Sequence, residues 1–172
     1  MDKINIFTST GAKFIHHPEV ISCFKSRGVA RPISLQVAPT SQCNLSCCFC
    51  SNIKRKAHES LGVLTLCEFI HVLYDRGLKT VEWTGGGDPT MYEHIVPAIV
   101  YCKTLGLEQG LITNGVALKE RIPKKVLNHL KWVRISMNCL DYVDSITLPS
   151  ITGVLGFSYV INPKTTQDVL IR

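Results

Sequence analysis

The sequence predicts an α/β fold built on one parallel sheet, and three observations carry that prediction. Apolar residues recur with period two in some segments and at i, i+3, i+4, i+7 in others, and the two kinds of segment alternate along the chain. Strands that alternate with helices are joined by crossovers and so run parallel. At 172 residues the chain makes one ordinary domain with room for a sizeable core, and a complete eight-unit βα barrel of about 250 residues does not fit.

The elements follow in order after an N-terminal helical or irregular extension, residues 1–31; residues 32–172 form the core. Residues 32–39 read as the first strand, with Ile33, Leu35 and Val37 on one face and Ser34 and Gln36 on the other. A helix carries Leu66, Phe69, Ile70 and Leu73 on one stripe, opened by a capping box of Thr65 with Glu68 and stopped by Gly77. Residues 79–84 form a second strand, with Val81 and Trp83 opposite Glu82 and Thr84, running into Gly85-Gly86-Gly87-Asp88-Pro89. The next helix places Ile95, Ala98, Ile99 and Cys102 together and ends near Gly106.

The pattern then repeats. Residues 109–113 are a strand closed by Asn114-Gly115, and residues 123–130 a helix with proline in its first turn. Residues 132–138 form a strand, 141–148 a weak helix, 154–161 a fifth strand, and 165–172 the start of a last helix. The fourth strand sets Val133, Ile135 and Met137 against Arg134, Ser136 and Asn138; the fifth sets Phe157, Tyr159 and Ile161 against Ser158 and Asn162. The apolar faces should meet the helices. A flat parallel sheet is covered on both sides, so polar opposite faces imply a curved sheet around a wet cavity, with Glu82 and Arg134 facing each other across it.

Charge and composition exclude several classes. Lysine and arginine exceed aspartate and glutamate by 19 − 13 = +6, and residues 1–60 account for +5 of that. A solvated basic face is the commonest meaning of such an excess, an anionic partner the rarer one. The start lacks a basic region followed by an apolar one, and the uncharged stretch 145–163 is broken by Pro149, Gly153 and Gly156. A cytoplasmic protein without membrane partners is expected.

Chemistry concentrates in Cys43-Asn44-Leu45-Ser46-Cys47-Cys48-Phe49-Cys50, directly after the first strand. Four of eight cysteines crowd into this octapeptide, which in a reducing compartment speaks for a metal or cluster rather than disulfides. Cys43, Cys47 and Cys50 give C-x3-C-x2-C, and three thiolates on one loop can hold three irons of a [4Fe–4S] cube, leaving the fourth open to a ligand. The rival is zinc with His58 as fourth ligand, at a spacing that matches no recognised finger. Cys48 reads as a bystander, and Cys23, Cys67 and Cys102 as small hydrophobes. His16-His17 and Lys54-Arg55-Lys56 read as solvated, the basic triplet being also a surface for an anionic substrate or electron donor.

The cysteine motif resembles the C-x3-C-x-aromatic-C signature of the radical S-adenosylmethionine (radical SAM) enzymes, with Phe49 at the aromatic position. Gly85–Pro89 resembles that family's Gly-Gly-Glu-Pro turn, with Asp88 in place of glutamate; Ile112–Gly115 and Val133–Ser136 resemble its third- and fourth-strand segments. The resemblance spans roughly residues 32–162 and implies an incomplete parallel (β/α) barrel of the radical SAM type, about five strands with covering helices. The family's partial barrel has six such units.

By the same resemblance, Cys43, Cys47 and Cys50 hold a [4Fe–4S] cluster that cleaves S-adenosylmethionine to a 5′-deoxyadenosyl radical, which abstracts hydrogen from a substrate. Gly85, Gly86, Gly87 and Asp88 would meet the methionine end of the cofactor, Ser136 and more weakly Asn138 its ribose or carboxylate, and the backbone at Phe49 its adenine. Cys139, expected at the cavity mouth, is a candidate hydrogen donor with simple packing as the commoner role. A flavodoxin- or ferredoxin-like electron donor is implied, and a partner chain could complete the barrel. Two other readings are a non-catalytic or split iron–sulfur chain that needs a partner segment, and a zinc-binding structural module.

Overall fold

The computed structural model describes residues 17–56, 59–162 and 165. Its first element is helix α1 (Pro18–Arg27), with Val20 buried. Five strands follow: β1 (Ser34–Val37), β2 (Thr80–Trp83), β3 (Glu108–Thr113), β4 (Trp132–Ser136) and β5 (Val154–Ser158). They form one parallel sheet in the order β1-β2-β3-β4-β5, so each strand pairs with its neighbour in sequence. Helices α2 (Val63–Asp75), α3 (Ile95–Thr104), α4 (Leu118–Arg121) and α5 (Lys124–Leu127) lie in the crossovers.

Alternation along the strands settles which side carries the core. Val81 and Trp83 of β2, Leu111 of β3, and Val133 and Ile135 of β4 are buried against Ile70, Ile95, Ile99, Cys102, Val126 and Leu127 from the helices. Burying each large side chain stabilises the fold by roughly 1.5–3 kcal/mol. One polar group is admitted to this layer. Gln109 is buried, accepting from Trp83 Nε1 at 2.9 Å and donating to the Ile99 carbonyl at 3.0 Å, so it ties β2, β3 and α3 together.

The opposite face is polar and at least partly exposed, as the alternation predicts. Ser34 and Gln36 are exposed; Thr80, Glu82, Trp132, Arg134 and Ser136 are half-buried. Glu82 accepts from its register partner Gln36 at 2.9 Å, and β3 separates it from the strand of Arg134. Trp132 lies on this face over Gly110, where a Cβ would stand 2.2 Å from the indole ring.

Several local expectations give way. Helix α2 starts at Val63 with Gly62 as its N-cap and no side-chain capping bond, so the Thr65–Glu68 box does not form; Thr65 already lies inside the helix. Its end agrees with expectation, since Gly77 takes φ +103° just beyond Arg76. The helix read at 123–130 shortens to α5, preceded by α4, because Pro123 in an extended conformation separates two single turns. The weak helix at 141–148 is replaced by a 3-10 turn, Met137–Asp141, followed by irregular chain. Strand β5 ends at Ser158, and Phe157 is 51% exposed because no described element packs over it. The helix expected at 165–172 lies outside the described residues apart from Thr165, and so does His58.

Candidate functional site

The cysteine motif occupies the loop between β1 and α2, and the two stems of that loop are zipped together. Ser41 N–H donates to the Glu59 carbonyl at 2.8 Å, Leu61 N–H to the Pro39 carbonyl at 2.9 Å, and Thr40 forms an isolated antiparallel bridge with Ser60. The Thr40 and Ser60 hydroxyls meet at 2.7 Å, and the Ser41 hydroxyl donates to the Lys56 carbonyl. The thiols therefore sit at the C-terminal end of the strands on a loop closed at its base, where parallel α/β sheets bind their ligands.

Inside the loop, the Cys50 N–H donates to the Cys47 carbonyl at 3.0 Å, a turn that joins the last two motif cysteines. Partial burial pushes the Cys47 thiol up, and negative charge on Cys43 and Cys50 pushes it further. Among the described residues no three His, Cys, Asp or Glu side chains converge as a single metal ion requires. Three cysteine thiols on one loop are the donor type that iron–sulfur clusters take, so the donor set fits a [4Fe–4S] cluster.

Amide and guanidinium donors surround these sulfurs. Asn114 Nδ2 lies 3.8 Å from Cys43 Sγ and donates to Asn44 Oδ1 at 2.7 Å. Arg55 Nη1 lies 3.6 Å from Cys50 Sγ. The Tyr142 hydroxyl accepts the Cys48 N–H at 2.9 Å and lowers the Cys47 thiol by hydrogen bonding to it. Cys48 is exposed, with its own sulfur 3.8 Å from Asn162 Oδ1. Phe49 is half-buried beside it.

The glycine turn after β2 grips the base of the cysteine loop. Gly87 N–H donates to the Thr40 carbonyl at 2.9 Å and Asp88 N–H to the Gln42 carbonyl at 2.8 Å. The backbones approach so closely that a Cβ on Gly87 would stand 1.9 Å from the Gln42 oxygen, and one on Gly85 would stand 2.3 Å from the Gly87 oxygen. Only glycine allows such contact. Gly86 is different, since its nearest atom would be 4.0 Å away. The turn is thus two close-packed glycines around an open one.

Asp88 is buried and both its oxygens are taken. It accepts from Thr90 N at 2.9 Å, Thr90 Oγ1 at 2.6 Å, Thr113 Oγ1 at 2.9 Å and Asn114 N at 2.7 Å. Its side chain joins the end of β2 to the end of β3, and so positions Asn114 against the cysteine loop.

Two of the candidates on the far side serve packing. Asn138 is buried, with its amide donating to the Val160 carbonyl at 2.8 Å and accepting from Val160 N at 2.7 Å. Cys139, expected at the cavity mouth, is 1% exposed; burial pushes its thiol up to about 11. The 3-10 turn after β4 folds both inward and leaves Ser136, half-buried at the end of β4, as the candidate facing the polar side. Tyr159 and Asn162 close the turn by donating to Asp141 at 2.7 and 3.1 Å.

Sequence reasoning missed Arg55, read as one of three solvated cations. Its guanidinium turns back into the loop; Lys54 and Lys56 remain exposed. It also missed Asn114 as more than a turn residue. Both carry a weak sequence signal, a long or polar donor one loop away from a cysteine.

The fold and site together are a parallel α/β sheet with a C-x3-C-x2-C loop at its C-terminal end, the arrangement that the resemblance to radical SAM enzymes implies. Comparison with known proteins narrows it. The sequence profile of the Radical SAM superfamily matches residues 37–152, and the chain belongs to that superfamily. Its cofactors are a [4Fe–4S] cluster and S-adenosylmethionine, the pair that the resemblance implied.

A probable GTP 3′,8-cyclase of Saccharolobus solfataricus is 33% identical over 146 residues, which cover 81% of this chain and 45% of that protein. A PqqA peptide cyclase of Gluconobacter oxydans is 35% identical over 92 residues, 52% of this chain and 25% of that protein. The chain thus spans less than half the length of these curated relatives. Among solved structures, Streptococcus suis SuiB bound to S-adenosylmethionine shares the fold, with a TM-score of 0.57 and 22% identity over 71% of this chain and 29% of that one. No helix among the described residues is long and apolar enough to cross a membrane.

Proposed function

We propose that the chain is the cofactor-binding part of a radical SAM enzyme, with Cys43, Cys47 and Cys50 holding the cluster. The observation that carries this reading is the closed cysteine loop, gripped by the Gly85–Asp88 turn and flanked by Asn114 and Arg55. When bound, the cluster supplies the electron that cleaves S-adenosylmethionine to methionine and a 5′-deoxyadenosyl radical.

The chain's own residues orient the partners in that step. Gly86, open on its Cβ side, offers backbone at close range to the methionine end of the cofactor. Gly85 and Gly87 fix the shape of that turn, and Asp88 holds it to β3. Ser136, half-buried at the end of β4 on the polar face, would meet the cofactor's ribose or carboxylate. The Phe49 backbone would meet its adenine. Relatives named for acting on GTP and on a peptide differ in substrate, so the reading stops at the shared radical-forming step.

Anaerobic reconstitution with iron and sulfide tests the reading. The protein should turn brown and, with dithionite and S-adenosylmethionine, release 5′-deoxyadenosine detectable by mass spectrometry. Replacing Cys47→Ala should reduce both the colour and the product to background. A colourless wild-type protein after careful reconstitution, or a Cys47→Ala protein with undiminished iron, would overturn it.

A further inference from the structure

One side chain of the cysteine loop does work that the cluster ligands alone do not explain. The Arg55 guanidinium is half-buried and spans the loop: Nη1 donates to the Asn52 carbonyl at 2.9 Å, Nη2 to the Leu45 carbonyl at 3.2 Å, and Nη1 also faces Cys50 Sγ at 3.6 Å. Leu45 precedes Cys47 in the loop and Asn52 follows Cys50, so one rigid fork fixes the chain on both sides of two ligands. The planar guanidinium can do this because its five N–H donors point in fixed directions, which the lysine ammonium cannot reproduce.

The three sulfurs are thereby placed in unequal surroundings. Cys43 has a neutral amide donor from Asn114, Cys47 has the Tyr142 hydroxyl, and Cys50 has a full positive charge. Hydrogen bonds and charge near the sulfurs set the potential of an iron–sulfur cluster, because they offset the electron density that reduction adds. We propose that Arg55 is a positioning residue which, by holding its charge against Cys50 Sγ, raises the reduction potential of the bound cluster. This rests on the cluster-binding reading above.

The test is a redox titration of the anaerobically reconstituted protein, poised with dithionite and followed by electron paramagnetic resonance. Four proteins are compared: wild type, Arg55→Met, Arg55→Lys and the neighbour control Lys54→Met. In Arg55→Met the ratio of reduced to oxidised cluster at a fixed potential should fall about tenfold, equivalent to about 59 mV for a one-electron couple. Arg55→Lys should fall between, keeping the charge but losing the fork.

Lys54→Met removes the same charge from an exposed side chain and should titrate as wild type. An unchanged potential in Arg55→Met, or an equal shift in Lys54→Met, would overturn the proposal. Should Arg55→Met bind no iron, Arg55→Lys decides: iron content restored with a potential below that of the wild type supports the role, and iron lost equally from both, or restored at the wild-type potential, overturns it. Failure of the wild type itself to hold a cluster would instead remove the functional reading, so the two outcomes are distinguishable.

Discussion

Asp88 stands where the resembling family carries glutamate, and the shorter side chain has a structural reason. Its carboxylate accepts from the Thr90 N–H and hydroxyl, the Thr113 hydroxyl and the Asn114 N–H in a buried position. Removing such an acceptor strands buried donors, each at roughly 1–3 kcal/mol. Asp88→Ala should therefore lower stability by about 3 kcal/mol in urea unfolding, and Asp88→Asn, which keeps one acceptor, should lose less. The presence of an acid at this position was legible in the sequence, but its saturation by β3 was not, since the donors lie 25 and 26 residues away. Cysteine chemistry was sorted in the same uneven way. Clustering singled out Cys43, Cys47 and Cys50, whereas Cys139 was placed by strand alternation that the 3-10 turn interrupts. Cys102 was read correctly as a small hydrophobe: it is fully buried, and burial pushes its thiol up to about 12. A folded-state value raised above the unfolded one contributes stability below about pH 9, the ordinary thiol value, and loses it as pH rises towards 12. The denaturation midpoint should decline across that alkaline window, and less steeply in Cys102→Ala, which removes the titrating group.

At the level of whole elements, sequence pattern identified every strand among the described residues and failed chiefly at termini and short helices. Strand faces were legible because period-two alternation reports burial directly, and β2 and β4 follow it residue by residue. Helix starts were less so, because the Thr65–Glu68 box lay one turn inside a helix whose packing through Leu66 and Ile70 extends it back to Val63. The region after β4 was misread for a tertiary reason: Asn138 and Asp141 spend their side chains on Val160, Tyr159 and Asn162, holding the chain in a tight turn that a helix would break. Strand β3 shows how an element can be fixed by what it lacks. Gly110 leaves room for the Trp132 ring on the polar face, and a Cβ there would sit 2.2 Å from two of its atoms. Overpacking of this kind costs about 1–3 kcal/mol where neighbours can shift. Gly110→Ala should fall in the upper part of that range and alter the Trp132 fluorescence, because the ring must leave β3. An unchanged emission spectrum with unchanged stability would show that the ring is not packed against Gly110.

Across the molecule, two layers are held by different forces. The helix-facing layer is apolar, with Trp83, Ile99, Leu111, Val133 and Ile135 all fully buried. The strand ends carry the cysteine loop, the Gly85–Asp88 turn, Asn114 and Tyr142, joined mainly by hydrogen bonds and with their sulfurs partly exposed. Hydrogen bonds at an accessible mouth contribute about 0.5–1.5 kcal/mol each, so local opening there costs far less than opening the core. A cluster that binds only the closed loop adds its binding free energy to that local equilibrium. Hydrogen–deuterium exchange on the iron-free and reconstituted proteins should therefore differ mainly in peptides covering residues 40–56, 85–91 and 113–117, which slow on loading, whereas those covering α3, β3 up to Leu111 and the buried positions of β4 stay nearly constant. Protection that rose uniformly would mean that the apolar layer depends on the cluster for its folding, contrary to its burial. The division also gives the Arg55 fork its place: it joins two carbonyls of the weaker layer across the ligands, where a few bonds decide whether the thiols are held ready.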